Sequence, residues 1–177
     1  MGTDIYLTVE LRQEDGRWKA VRPPGDPRDD DGELCWDWDF GRSYACFAVL
    51  ADVRNGLPEN GFFNPISEPR GLPEDRDLVD EDYGEYGQSW LLLPEILTYD
   101  WEQKTTWRSF VSEDRVKARL AKPIPYTLGP PIPDRVYAEW EETYRESCGS
   151  IFRMINIIRA ALPGVDVERI RIVFGFA

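Results

Sequence analysis

Two short segments of the chain, "TDIYLT" and "EYGQSW", contain polar and aromatic side chains that could bind a planar molecule. The five residues are Asp4 and Tyr6 in the first segment and Tyr86, Gln88 and Trp90 in the second. If the segments lie side by side, the rings would stack on a base, and the carboxylate and amide would hydrogen-bond its edge. Such stacking contributes about 1–3 kcal/mol per base. The pattern predicts a pocket for a purine or a similar ring. The structural alternative is a core tryptophan beside a half-buried sheet tyrosine.

Arginines supply candidate sites for the anionic part of a ligand. Arg42 precedes a predicted helix, whose free backbone N–H groups favour an anion. Arg54 follows the same helix, and Arg70 lies in the proline-flanked turn "EPRGLP". Guanidinium groups bind phosphate and carboxylate through two parallel hydrogen bonds. These three residues could therefore hold a phosphate, and ion pairs with Asp52 and Glu68 are the structural alternative.

The acidic composition limits the classes of partner. The formal net charge of -12 over 177 residues argues against binding of a nucleic-acid polymer, because phosphate neutralisation supplies most non-specific affinity. Acidic runs occur at residues 26–39 and 74–85, and the first contains Trp36 and Trp38. Tryptophans are enriched in interface hot spots. A basic protein partner bound through Trp36 and Trp38 is one interpretation, and a solvated loop is the other. The cluster at residues 29–31 lacks the ligand spacing of a calcium-binding EF-hand.

The chain has no histidine and three widely separated cysteines, Cys35, Cys46 and Cys148. This pattern favours buried free thiols over a disulfide framework or a zinc site. Without histidine, acid–base chemistry would fall to carboxylates, tyrosines or a lysine with a shifted pKa. We therefore predict no metal, no cofactor and no catalytic residue, and whether the protein is an enzyme stays open.

Hydrophobic periodicity predicts a strand near each end of the chain. Apolar residues alternate with polar ones over residues 5–11, and a similar alternation occurs over residues 170–176. Another strand, over residues 18–21, follows a hairpin turn at Asp15-Gly16. We expect the first and last strands to pair with each other.

Spacing and turn residues predict the other elements. They are a helix over residues 44–54 capped by Ser43, short helices over 94–99 and 112–120, a strand over 105–111, a long helix over 134–162, a surface loop over 58–82 and a proline-rich linker over 123–133. The sequence thus predicts an α+β fold forming a single domain over residues 1–177. It has a small, mainly antiparallel sheet, one long C-terminal helix, shorter helices on one face and long acidic loops.

The cellular setting follows from what the sequence does not contain. No apolar stretch approaches the about 20 residues that a membrane span needs, and the N-terminus lacks a signal peptide. We therefore expect a soluble, cytoplasmic protein without a membrane partner. A homodimer that buries the long apolar helix against its twin is also possible.

Five segments, kept in order along the chain, resemble a family of small uncharacterised bacteriophage and bacterial proteins. They are "MGTDIYLTVE", "GRSYACFAVLADVRN", "PISEPRGLP", "GQSWLLLPEILTYDW" and "RIRIVFGFA". Members of the family open Met-Gly-Cys-Asp-Ile-His and carry a later His-Ser-His-Ser-Trp segment, a ligand set that would suit a divalent metal. Here Thr3, Tyr6 and Tyr86 to Trp90 stand at those positions, and only the carboxylate of Asp4 remains. The resemblance implies a phage setting, and the replacements make metal chemistry doubtful.

Three hypotheses follow. The first is a non-catalytic, phage-type accessory protein that binds or sequesters a nucleotide-derived small molecule, for example a host defence signal. In it Tyr6, Tyr86 and Trp90 stack on the base, and Arg54 and Arg70 bind phosphate. The second is a metal-dependent phosphodiester hydrolase with an altered site. The third is an acidic inhibitor that presents its loops to a basic protein partner.

Overall fold

The computed structural model describes residues 2–25, 27–28, 31–33, 35–38, 40–57, 61–118 and 120–177. The strands are β1 (Ile5–Arg12), β2 (Trp18–Val21), β3 (Tyr86–Leu92), β4 (Lys104–Ser112), β5 (Lys122–Pro123), β6 (Arg135–Thr143) and β7 (Ile170–Phe176). The helices are α1 (Tyr44–Ala51), α2 (Leu93–Leu97), α3 (Glu113–Lys117), α4 (Tyr144–Ser147) and α5 (Gly149–Ala161), with a 3₁₀ turn at Val167–Arg169. The predicted α+β class is confirmed. The division into domains stays a prediction.

The first sheet has the strand order β2-β1-β7-β3 and is antiparallel throughout. Ile5 pairs with Phe176 and Leu11 with Ile170, which confirms the predicted pairing of the terminal strands. The alternating apolar residues of β1 and β7 face one side, where they form a core with α1 and α5. The ring of Phe47 on α1 meets that of Phe176 edge-on, with centroids 5.1 Å apart. The inner face of the sheet is therefore packed against these two helices.

The outer face of the first sheet carries polar side chains such as Thr8 and Glu10, and the acidic loop before β3 covers part of it. Tyr83 is 1% exposed, and its hydroxyl shares a 2.7 Å hydrogen bond with Thr8 on β1. Gly175 on β7 permits the backbone of Tyr83 to approach this closely, because a Cβ at residue 175 would collide with the carbonyl oxygen of Tyr83. Burial raises the pKa of Tyr83 to about 12. In the described part of the predicted loop, residues 61–82, the backbone forms no helix or strand.

The second sheet has the order β4-β6-β5 and a much smaller core. Its buried apolar residues are Val111, Ala121 and Ala138, against which Val116 and Trp140 pack. Among the described residues of this sheet, Trp107 also packs against the main core. The described residues contain no helix long and apolar enough to cross a membrane.

Two predictions about these elements are wrong. Residues 135–143 form β6 instead of the first third of a helix over 134–162, and the long helix begins only at Gly149. The reason is that Val136 and Trp140 fit an alternating pattern as well as a helical one, since a spacing of four satisfies both periods. Pairing with β4 along nine residues decides in favour of the strand. The chain consequently has two small sheets where we expected one.

Candidate functional site

Four of the predicted site residues meet around Thr3, just before β1. The guanidinium of Arg42 donates hydrogen bonds of 2.7 and 2.8 Å from Nη2 to the two carboxylate oxygens of Asp4. Nε of Arg54 donates to Oγ1 of Thr3 at 2.8 Å, and the Tyr86 hydroxyl lies 2.9 Å from the same oxygen. We call these five residues the N-terminal cluster. It contains members of both the predicted aromatic group and the predicted arginine group.

Backbone conformation at the end of α1 brings Arg54 to this cluster. Asp52 and Arg54 have φ values of 59° and 58°, in the left-handed region that residues with a Cβ seldom adopt. The side chain of Asn55 fixes the turn by bonding both the N–H and the carbonyl of Phe63. The guanidinium of Arg54 then lies over the ring of Tyr44, with Cζ 5.7 Å from its centroid. The helix was predicted to continue to residue 54, and these conformations end it earlier.

A cavity of about 300 Å³ opens beside the N-terminal cluster. Three predicted residues, Asp4, Tyr6 and Arg42, line it together with Asp37 and Phe40. The hydrogen bonds that Arg42 donates to the Asp4 carboxylate raise the pKa of its guanidinium above the ordinary value. Its positive charge is therefore already balanced by a carboxylate. We call this space the smaller cavity.

A second cavity of about 540 Å³, the larger cavity, adjoins the first. Its apolar lining comes from Pro23, Pro24, Pro27, Trp38, Met154 and Ile157, and its cationic groups are Arg28 and Arg153. Asp37 lines both cavities. A Cβ built on Gly41, in the wall of the smaller cavity, would lie 3.7 Å from Nη2 of Arg153 in the larger one. Arg153 therefore lies at the junction of the two.

The loop that separates the cavities continues the edge of the first sheet. Oδ1 of Asp37 accepts the N–H of Leu7 at 2.6 Å, and the N–H of Trp38 donates to the carbonyl of Leu7 at 2.8 Å. The indole N–H of Trp38 donates to the carbonyl of Val21 at 2.9 Å. This backbone and side-chain bonding gives the cavities a fixed wall.

The two tryptophans predicted to bind a protein partner are placed differently. Trp38 is 4% exposed and belongs to the main core, so it presents almost no surface to another protein. Trp36 is half-buried, with the guanidinium of Arg22 4.5 Å above its ring. Asp29 and Asp30, part of the acidic cluster considered for calcium, lie outside the described residues.

Gln88, Trp90 and Arg70 lie apart from the N-terminal cluster. The strands β1 and β3 do not pair with each other, because β7 lies between them. Arg70 forms a bidentate ion pair with Glu95 and stacks 4.9 Å from the ring centre of Trp90. Its hydrogen bonds hold the pKa of Glu95 below the ordinary value. The Gln88 amide donates to the carbonyl of Gly84. Of the second segment, Tyr86 reaches the N-terminal cluster, whereas Gln88 and Trp90 make the other contacts described here, so the pocket expected from both segments stays a prediction.

A wider groove of about 910 Å³ lies on the second sheet. Its walls carry both signs of charge, and Arg108 and Glu139 within it pair with each other at 3.4 Å. In the described ranges, no group of three or more Cys, Asp or Glu residues could hold a metal ion. Cys46 and Cys148 are buried free thiols, whereas Cys35 is half-buried and lines the larger cavity.

Sequence reasoning missed the larger cavity. Its arginines, Arg28 and Arg153, carry no motif. One signal was present in the helix α5. Ile151, Met154 and Ile158 form its buried side. Ile157 is a further isoleucine on the other side of the helix, where it is 40% exposed. Such an outlying isoleucine beside the Pro23-Pro24 pair could have indicated an apolar cavity.

The comparisons with known proteins do not assign a family. No family model, no curated protein and no solved structure matches the chain. The resemblance to phage and bacterial proteins therefore stays a prediction, and the functional argument rests on the geometry of the two cavities.

Proposed function

We propose that the protein is a non-catalytic binder of a small, nucleotide-derived molecule, which it holds in the two adjoining cavities. The larger cavity falls within the about 300–1,000 Å³ that small-molecule sites occupy. Such sites are mostly apolar with a few placed polar groups. Here prolines, Trp38 and Ile157 form the apolar wall, and Arg153 and Arg28 supply positive charge.

One observation carries the proposal: Arg153 lies at the junction and forms no ion pair with a carboxylate of the described residues. The chain has 33 acidic and 21 basic residues, so a basic group has many acids available to it. Arg42, Arg70 and Arg171 all pair with acids. In the described part of the chain, Arg153 has no such ion pair. An unpaired guanidinium beside an apolar cavity fits an anionic ligand that carries a ring.

The biological setting that we propose is a phage-type accessory protein acting in the cytoplasm. Binding alone would lower the free concentration of a host defence signal when the protein is in excess over the signal. No reaction is needed for that effect. The proposal therefore gives the ligand-binding residues a role without assigning any of them to catalysis.

Native mass spectrometry of the protein as purified tests this proposal. We expect one nucleotide-derived molecule per chain, either retained or taken up from an added panel of nucleoside mono-, di- and cyclic phosphates. Calorimetry with the same panel measures the affinity. A bare protein that gives no heat with any nucleotide contradicts the proposal. A retained metal ion together with turnover of a phosphodiester would favour the hydrolase alternative instead.

A further inference from the structure

The two cavities differ in the chemistry of their walls. The larger cavity has apolar sides from the proline run and from Ile157, together with Arg153 near Gly41 in the wall of the smaller cavity. The smaller cavity has two carboxylates, Asp4 and Asp37, in its wall. The larger cavity shares Asp37 but not Asp4, so a ring there lies mainly against apolar side chains, with one carboxylate at the wall that the two cavities share.

The arginines around the cavities also differ in how far they are neutralised. Arg42 is held by both oxygens of Asp4. Arg28 donates to the carbonyl of Gly32 and, like Arg153, forms no ion pair with a described residue. Arg153 is the one that reaches the wall shared with the smaller cavity. A single anionic group placed at this junction would contact Arg153, whereas a second one in the smaller cavity would approach Asp4 in addition to Asp37, and the arginine there is already paired.

From this asymmetry we infer that the ligand has one planar ring system and one phosphate group. Its class is a nucleoside monophosphate, linear or 3′,5′-cyclic, with the base in the larger cavity and the phosphate on Arg153. The inference rests on the proposed function and narrows it. A cyclic dinucleotide would place its second base and second phosphate in the smaller cavity of about 300 Å³, beside two carboxylates. Desolvation and like-charge repulsion oppose that arrangement.

Cys35 provides a reporter for the larger cavity. Its half-buried thiol lines that cavity, and the other two thiols, Cys46 and Cys148, are buried. A maleimide should therefore alkylate the folded protein first at Cys35. At a ligand concentration of ten times the Kd, only about a tenth of the protein is free. We expect adenosine or guanosine monophosphate, or their cyclic forms, to slow alkylation of Cys35 about tenfold.

The phosphate contact is tested by Arg153→Met with Arg159→Met as the matched control. Both residues are exposed on α5, but Arg159 lines neither cavity. Charge-assisted hydrogen bonds of this kind correspond to a change of about 10–100-fold in affinity. We expect that loss for the nucleotide in Arg153→Met, no loss in Arg159→Met, and no difference between the two variants for the nucleoside adenosine.

The ring position is tested by Ile157→Asp with Asn156→Asp as the control. Both substitutions add one carboxylate to the exposed side of α5, and only residue 157 lines the larger cavity. Ile157→Asp should abolish the protection of Cys35, and Asn156→Asp should retain it. Circular dichroism of each variant checks that the fold is intact.

Two outcomes overturn the inference while leaving the proposed function in place. One is a mononucleotide that binds without protecting Cys35 or without responding to Arg153→Met. The other is a cyclic dinucleotide that binds more tightly than every mononucleotide. Failure of all nucleotides to bind would remove the proposed function itself, and the inference with it.

Discussion

Each sheet carries a glutamate and an arginine directly opposite each other on neighbouring antiparallel strands, but in very different surroundings. In the first sheet Glu10 faces Arg171, with Nε 2.7 Å from Oε2 and side chains 0% and 3% exposed. In the second sheet Glu139 faces Arg108 at 3.4 Å, with side chains 28% and 57% exposed. The same pair of residue types is therefore part of the interior in one sheet and solvated in the other.

The surroundings of Arg171 explain how a buried ion pair is retained. Its guanidinium lies 4.2 Å from the ring centre of Trp18 and donates to Asp75 in the covering loop at 2.9 Å. The other oxygen of Glu10 accepts the N–H of Asp77 at 2.8 Å. The pair thus attaches the acidic loop to the outer face of the sheet. This comparison shows that cross-strand register alone does not determine what an ion pair contributes, because burial and secondary hydrogen bonds decide it.

The largest effect that separates the two sheets should come from Arg171→Met. Removal of the guanidinium leaves the carboxylate of Glu10 buried without a counter-charge, which typically costs about 3–5 kcal/mol. We expect the free energy of unfolding, measured by urea denaturation at neutral pH, to fall by that amount. The loop should also become more susceptible to proteolysis near Asp75.

The double variant Glu10→Leu with Arg171→Met is the control for this interpretation. Replacement of a buried ion pair by apolar residues of similar size is often neutral or stabilising. The double variant should therefore recover much of the stability lost in Arg171→Met. If it is as unstable as the single variant, packing around Trp18 and not the unpaired charge is the cause.

Three of the four strands of the first sheet, β1, β2 and β7, could be predicted from sequence, and the alternation in β1 and β7 is compatible only with a strand. Residues 5–11 and 170–176 place their large apolar side chains on one face, and a helix would distribute them around its axis. The strand β6 was predicted as part of a helix because both of its faces are partly apolar. Its apolar residues, Val136, Tyr137, Ala138 and Trp140, therefore do not show a clear period of two. Only the long-range pairing with β4 resolves the choice, and a local pattern contains no information about it.

Part of the candidate site could also be predicted from the sequence. Asp4, Tyr6 and Arg42 were identified because their residue types are chemically distinctive, and the fold brings them to one cavity. Trp90 lies on β3, which β7 separates from β1, and this order depends on the whole topology. The role suggested for Arg153 depends on where α5 packs, so no local pattern could have supplied it.

A smaller effect should come from Tyr83, which covers the outer face of the first sheet. Burial raises the pKa of its hydroxyl from an ordinary value of 10.0 to about 12. The folded protein therefore holds this proton more tightly than the unfolded chain does. Its contribution to stability is complete below pH 10 and is lost as the pH rises from 10 to 12. Urea midpoints measured across that range should fall, with Tyr99 contributing in the same window.

Tyr83→Phe isolates this contribution. It removes the titrating hydroxyl and the hydrogen bond to Thr8, at a cost of about 1 kcal/mol at neutral pH, and it should make the alkaline decline shallower. Tyr137→Phe on the second sheet is the matched control, because it also removes one hydroxyl and leaves Tyr83 in place. An alkaline decline that is equally steep in Tyr83→Phe and in the unmodified protein would show that this tyrosine does not titrate on unfolding.

The smallest effect should come from the exposed pair of the second sheet, measured by a double-mutant cycle of Arg108→Met and Glu139→Gln. Exposed pairs couple by about 0.2–1 kcal/mol, and the coupling should vanish in about 1 M salt, where the screening length is about 3 Å. A salt-resistant coupling of about 3 kcal/mol or more would contradict this expectation, because that strength requires burial. Since the pair is open to solvent in the single chain, such a result would mean that another molecule covers the second sheet in solution, as in a homodimer.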